Sequence, residues 1–381
     1  MGSFSVRKRL GLIFINDEQW VGGTYYTINL VHALNNLSDN QKPGIIVFSN
    51  TKDFQQLLGE TDYPYLVFED FSQGEYSRFE KVVNKVSGRI LKKKILRKSY
   101  KKPIDALFIM QRSEYLESIS AEKRIYWIPD FQDKHYPQFF SEDGLKKKDE
   151  RSKWIHQTAK KIIFSSQAVA DDWNKFYPNY KGFVKVVHFA VTHPEFDSLD
   201  INELRLKHSL PEEYFFAPNQ FWAHKNHMLV IKAAEILKNQ GKPMVIAFSG
   251  KENDNRNPGY TESLKEYVAE NNLEDVVKFL GFLDRREQLK IMKYAKAVIQ
   301  PSLFEGWSTV IEDAMAMNQT VIASDLEVNK EQLGEKAIYF DRNSHNALAE
   351  SLKSFKVSEL DYLYSNKKMK FGEMLLKSFG I

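Results

Sequence analysis

The chain has 381 residues, 43% of them hydrophobic and 27% charged, with a net charge of +4 and no cysteine. This length exceeds what one hydrophobic core ordinarily organises, so two domains are expected. The missing cysteines exclude a disulfide scaffold, a Cys-ligated metal and a thiol nucleophile, and they suit a reducing cytoplasm. No stretch approaches the roughly 20 apolar residues of a membrane span. Met1–Arg9 lacks the apolar centre of a signal peptide.

In the first half, apolar runs at Leu10–Ile15, Gly44–Phe48, Ala106–Met110, Arg124–Ile128 and Lys161–Phe164 read as strands. Ile28, Val31, Leu34 and Leu37 place a helix at about 24–37. It opens at Trp20-Val21-Gly22-Gly23-Thr24, where paired glycines let a ligand approach the backbone. The order G-x-G-x-x-G of dinucleotide binders is absent, which argues against a dehydrogenase. Asp130, in Ile128-Pro129-Asp130-Phe131, directly follows a strand, where open α/β sheets place their ligands. His135, a few residues on, reads as a surface-loop histidine.

The second half repeats the alternation at Tyr214–Ala217, Met244–Ser249, Val276–Leu280, Ala297–Ile299 and Thr320–Ala323. Nearly continuous apolar strands separated by helices indicate parallel sheets covered on both faces. The junction falls at His188–Pro194, giving domains of about 1–192 and 193–356. The tail, about 357–381, is helical in composition and is expected to pack back on the first domain.

The segment Pro301–Asn318 follows the fourth of these strands. Ser308 or Thr309 can cap a helix with Val310, Ile311, Ala314 and Met315 on its apolar face. A strand, a glycine-bearing loop and a helix N-terminus together bind phosphate through free backbone N–H groups and the positive helix end. Glu305, Glu312 and Asp313 suit sugar hydroxyls. The same pattern also describes a capped helix whose acids favour its positive end. Phe215–His227 opens the second domain with a strand and a loop bearing Lys225, a cation able to neutralise phosphate.

This segment resembles the Glu-x7-Glu region of retaining glycosyltransferases of family 4, with the pattern E-G-x-G-x-P-x-x-E-A-M-A. Glu305, Gly306, Ala314, Met315 and Ala316 match it. The resemblance implies a GT-B fold, two Rossmann-like domains facing each other across a cleft. It implies Glu305 on the transferred sugar and, on the donor ribose, Asp313 or its neighbour Glu312. Gly306 and the Ser308 and Thr309 amides would meet the diphosphate. Lys225 matches the family's phosphate-binding Lys, whereas Gln220 stands where the family has Arg and Pro129 where it has His before Asp130. Gly23, Gly250, Phe282 and Leu283 occupy further donor positions. Asp130, Glu305 and Lys225 are the implied catalytic residues.

The implied activity is transfer of a hexose from a GDP- or UDP-sugar to a glycan or lipid-linked acceptor in surface polysaccharide assembly. Configuration is retained, and no cofactor or metal is expected, because no Asp-x-Asp stands in a suitable loop. A non-catalytic sugar-binding or scaffold protein, or an epimerase or phosphorylase of similar fold, are the rival readings. Between Arg89 and Lys102 lie eight Lys/Arg and no acid. That run fits either a solvated cationic face or contact with an anionic membrane at its inner side; no nucleic-acid motif accompanies it.

Overall fold

The computed structural model describes residues 7–13, 21–49, 53–70, 76–92, 95–96, 98–110, 115–254, 256–357 and 359–381. Seven parallel strands form the first sheet: β1 (Arg9–Ile13), β2 (Gly44–Ser49), β3 (Leu66–Asp70), β4 (Ala106–Ile109), β5 (Arg124–Ile128), β6 (Lys161–Phe164) and β7 (Phe183–Val186). Their spatial order is β3-β2-β1-β4-β5-β6-β7. The second sheet has six: β8 (Phe215–Ala217), β9 (Ile246–Phe248), β10 (Val277–Phe279), β11 (Val298–Gln300), β12 (Val321–Ser324) and β13 (Ile338–Phe340), in the order β10-β9-β8-β11-β12-β13. Each order reverses direction once, between β1 and β4 and between β8 and β11. Such switch points leave a crevice beyond the carboxyl ends of the strands.

The central strands carry the unbroken apolar runs, since helices cover both of their faces. Three strands, β3, β7 and β13, were not expected from the sequence, and each lies at the edge of a sheet. In β7 the residues run from exposed to half-buried, and β13 is half-buried over two of its three residues. β3 ends in Glu69 and Asp70. An edge strand has water on one side, so its sequence need not be continuously apolar.

The first helix starts at Val21, earlier than the glycine pair suggested, and takes both glycines into its first turn. In the cationic segment the helix is Arg78–Ile90, and the described residues between Leu91 and Lys102 form neither helix nor strand. Lys93, Lys94 and Arg97 of that run lie outside the described residues, as do Phe14 and Ile15 of the first apolar run.

The final helix, Tyr364–Phe379, lies against the helix Val21–Asn35 of the first domain. Phe371, Leu375 and Phe379 are buried in a cluster that also holds Leu30, Leu34 and Phe108 of the first domain and Ile311, Ala314 and Val321 of the second. Gly372 makes the close approach feasible: a Cβ there would stand 2.4 Å from the Ala33 carbonyl oxygen. Gly372→Val is therefore expected to cost about 1–3 kcal/mol through forced separation of the two helices, read as a lowered denaturant midpoint with unchanged slope.

Candidate functional site

A cleft of about 820 Å³ lies between the helix Val21–Asn35 of the first domain and the loops that follow β8, β9, β10 and β11 of the second. From the second domain, the turn after β8 brings Asn219, Gln220 and Lys225, and the turn after β11 brings Glu305. The Lys225 Nζ stands 2.6 Å from Glu305 Oε1, and both side chains are largely buried. Gln300 Nε2 donates to the same oxygen at 2.7 Å. The loops thus hold a cation and an acid at the β8–β11 switch point, in reach of anything seated in the cleft. Asn219 and Ser249, also in the wall, have buried side-chain polar atoms without a hydrogen-bond partner. Such groups carry a desolvation cost that a polar ligand relieves.

Gly250 lines the wall beside them, and a Cβ there would lie 2.2 Å from the Asn219 carbonyl oxygen. Gly306 is fixed in the same way from across the cleft: a Cβ would lie 2.2 Å from the Pro129 carbonyl oxygen and 2.9 Å from Asp130 Cβ. Here the Glu305 loop touches the first domain. Gly306→Ala is expected to push this loop off Pro129 and displace Glu305. The result should be a strong loss of activity with a far smaller change in thermal midpoint, measured on the same preparation.

The helix Thr309–Ala316 begins as its residues suggested, with the Ser308 hydroxyl accepting from Ile311 N at 3.3 Å. Ser308 does not offer its own N–H to the cleft, however, because that group donates to Gln332 Oε1 at 3.2 Å. Thr309 and Val310 remain, both on the cleft wall in the first turn, where a helix has no internal acceptor for its N–H groups.

The two neighbouring acids have opposite fates. Asp313 lies in the cleft wall, with Arg285 Nη2 at 2.5 Å and His193 Nε2 at 3.1 Å from its Oδ1. Burial works against its ionisation, but the Arg285 charge and the His193 hydrogen bond outweigh it and hold the carboxyl below its usual range. Glu312 is fully buried on the other side of the helix. Its Oε1 accepts from Trp307 Nε1 (2.9 Å), Gln332 Nε2 (2.8 Å) and Lys367 Nζ (2.6 Å), and its Oε2 from the Tyr364 hydroxyl at 2.5 Å. With four donors on it, Glu312 joins the final helix to the second domain and does not face a ligand.

Other residues singled out from the sequence are more scattered. Gly23 is buried, its carbonyl accepting from the Thr27 hydroxyl at 3.1 Å, and Gly22 is the one at the cleft. Phe282 and Leu283 line the cleft beyond β10, with Phe282 exposed. Asp130 is not among the cleft-lining residues; its Oδ1 accepts from Gln132 N at 3.0 Å and its Cβ backs Gly306. His135 pairs with Asp172 at 2.7 Å and lies against Phe304.

Arg285 is a cleft residue that the sequence did not single out. It follows the turn after β10, starts the helix Arg285–Lys293, and lies over the Tyr25 ring at 5.2 Å. Its signal was the pair Arg285-Arg286 just past a strand's carboxyl end. It stands in the cleft that Gln220 leaves short of a cation. His224 does not fill that gap, because burial lowers its pKa well below the ordinary imidazole value and leaves it neutral.

Two Rossmann-like domains meeting across such a cleft are the GT-B architecture. Residues 200–373, the second domain and most of the final helix, match the family model of glycosyl transferases group 1. The chain is 24% identical over 229 residues to the O-antigen chain mannosyltransferase RfbU of Salmonella typhimurium, covering 58% of this chain and 60% of the relative's length. Solved structures of similar fold include a glycosyltransferase from Rickettsia africae (TM-score 0.60, 16% identity, 98% of this chain and 93% of that one). Another is Anabaena HepE in complex with UDP-glucose (TM-score 0.60, 16% identity, 97% and 95%). A third is sucrose-phosphate synthase from Thermosynechococcus elongatus (TM-score 0.62, 15% identity, 98% and 94%).

Proposed function

We propose that this chain is a retaining, metal-independent glycosyltransferase of polysaccharide assembly. It would move a hexose from a nucleoside-diphosphate sugar to a glycan or lipid-linked acceptor. Residues 193–356 bind the donor, and residues 1–192 present the acceptor from the cytoplasmic side. The observation that carries this reading is the Lys225–Glu305 pair at the β8–β11 switch point. Its supports are the family match over residues 200–373 and the mannosyltransferase relative. The UDP-glucose bound to HepE makes UDP-sugars the first donors to test.

Transfer breaks the bond between the sugar's anomeric carbon and the β-phosphate oxygen and makes one to an acceptor hydroxyl oxygen, whose proton passes to the departing diphosphate. Charge therefore builds on the departing diphosphate, and stabilising it is the main electrostatic task. Lys225 and Arg285 supply cations, with the Thr309 and Val310 N–H groups at the helix N-terminus. Glu305 faces the sugar and Asp313 the ribose, while Gln220, Gly250, Phe282 and Leu283 complete the donor wall. Asp130 acts as a positioning residue behind Gly306.

Thermal-shift titration against nucleoside diphosphates and nucleotide-sugars tests the donor site, since a ligand bound only to the folded chain raises its midpoint. A rise with one nucleoside diphosphate, followed by mass-spectrometric detection of a lengthened acceptor, is the expected result. Stabilisation by none of the panel overturns the reading. One observation favours a binding protein that does no transfer: Asp313 is already held by Arg285 and His193. Donor binding without any transfer across an acceptor panel would establish that instead.

A further inference from the structure

The helix Arg78–Ile90 sits on the first domain with its polarity inverted. Its start is fixed by a reciprocal cap: Ser77 N donates to Glu80 Oε2 at 2.7 Å, and Glu80 N to Ser77 Oγ at 3.2 Å. The buried residues of this helix are polar, Asn84 and Ser87. The Asn84 amide clips the returning chain, donating to the Leu96 carbonyl and accepting from the Leu96 N–H, both at 2.9 Å.

Of its five large apolar side chains Val83 is half-buried, and the other four face away from the domain. Phe79 is 75% exposed, Val82 60%, Val86 49% and Ile90 73%, and Leu91 and Ile95 continue the surface. At their spacings of three and four residues, the four helical ones lie within an arc of roughly 80°. Arg78, Lys81, Lys85 and Arg89 are all exposed and fall on the adjoining arc, and Lys92, just past the helix, is exposed as well. The one acid of the helix, Glu80, is spent on the cap.

A surface helix normally turns its apolar stripe to the core and its charges to water. Here the core-facing arc is polar and clipped in place, so the apolar stripe has another environment. An apolar arc bordered by a purely cationic one is the layout of a helix lying in the plane of an anionic bilayer. Its apolar side chains reach the acyl boundary and its cations the lipid phosphates. Nucleic acid would match the cations but not the aliphatic Val82, Val86 and Ile90, since unstacked bases seek aromatic platforms.

We propose that Arg78–Ile90, extended by Leu91 and Ile95, docks this chain on an anionic lipid bilayer. The docking surface thus begins well before the Arg89–Lys102 run and rests on apolar insertion as much as on charge. The proposal goes beyond the transfer reading, and no step of it needs the cleft. Its test is co-sedimentation of the full chain with phosphatidylcholine vesicles with and without phosphatidylglycerol.

Binding to the anionic vesicles alone is expected. It should fall on the order of tenfold or more in Phe79→Ser/Ile90→Ser, from the lost apolar insertion, and comparably in Lys81→Glu/Lys85→Glu. Val82→Asn/Val86→Asn provides a second apolar pair should the first disturb folding. Nucleotide-induced thermal shifts should be the same in all these variants, which keeps failure here distinct from failure of the donor site. Equal binding by variants and wild type, or no vesicle binding by wild type, overturns the proposal. So does a lipid-free dimer or an RNA complex that the same substitutions abolish.

Discussion

Glu305→Gln and Lys225→Ala are each expected to lower kcat/KM for sugar transfer by on the order of 10²–10³-fold, the usual effect of removing one group that meets developing charge. The two should differ in how they fail. Glu305→Gln keeps the shape of the loop, with Gln300 and Lys225 still within reach of the replacing amide, so donor affinity should change less than turnover. Lys225→Ala removes a cation from the phosphate position and leaves Glu305 with Gln300 as its remaining partner. Nucleoside diphosphate binding should weaken along with turnover. Steady-state transfer assays paired with nucleotide titration would separate the two. A variant with wild-type turnover would remove its residue from the proposed mechanism.

Glu312→Leu is the substitution with the largest expected effect on stability. It strips a shared acceptor from the Trp307, Gln332, Tyr364 and Lys367 side chains at once. Breaking a buried pair by removing one partner costs about 3–5 kcal/mol, because the other charge is left uncompensated. Tyr364→Phe, which loses the hydrogen bond to the Glu312 carboxylate and leaves the buried Val191 N–H without its acceptor, should cost at least about 1.5–3 kcal/mol. Denaturant midpoints measure both. The adjacent Asp313→Asn should behave in the opposite manner, with altered nucleotide binding and a smaller loss of stability. If Glu312→Leu unfolded at the wild-type midpoint, its place as the anchor of the final helix would be wrong.

Much of this arrangement was legible in the residues. Apolar runs such as Arg124–Ile128 and Lys161–Phe164 coincide with β5 and β6, because a strand covered on both faces must be apolar throughout. The edges β3 and β7 left no comparable mark, since Glu69, Asp70 and Lys185 interrupt them where one side faces water, and β13 is only three residues long. At the site, the pairing of Lys225 with Glu305 follows from two loops at one switch point, and motif spacing located both loops. The choice between Glu312 and Asp313 did not follow. Adjacent residues on a helix point about 100° apart, and which of them faces the cleft depends on where Trp307, Gln332 and the distant Tyr364 and Lys367 lie. Arg285 escaped notice for a related reason: a surface-like Arg-Arg pair becomes a cleft residue only once Asp313 is opposite it.

The chain passes between its two halves twice, once through residues 187–214 and again on the way to Tyr364. At the Tyr364 hydroxyl the two passages are tied together: it accepts from Val191 N at 2.9 Å and donates to Glu312. Beside it, Thr192 N donates to Asn29 Oδ1 at 2.7 Å. The halves are thus laced rather than strung. A single protease cut within the exposed part of the first passage, around Glu212 and Glu213, would leave two fragments that still co-migrate under native conditions and part only in denaturant. Neither half is a detachable module, and a truncation before Tyr364 would uncover Glu312 together with the apolar face that Phe371, Leu375 and Phe379 close.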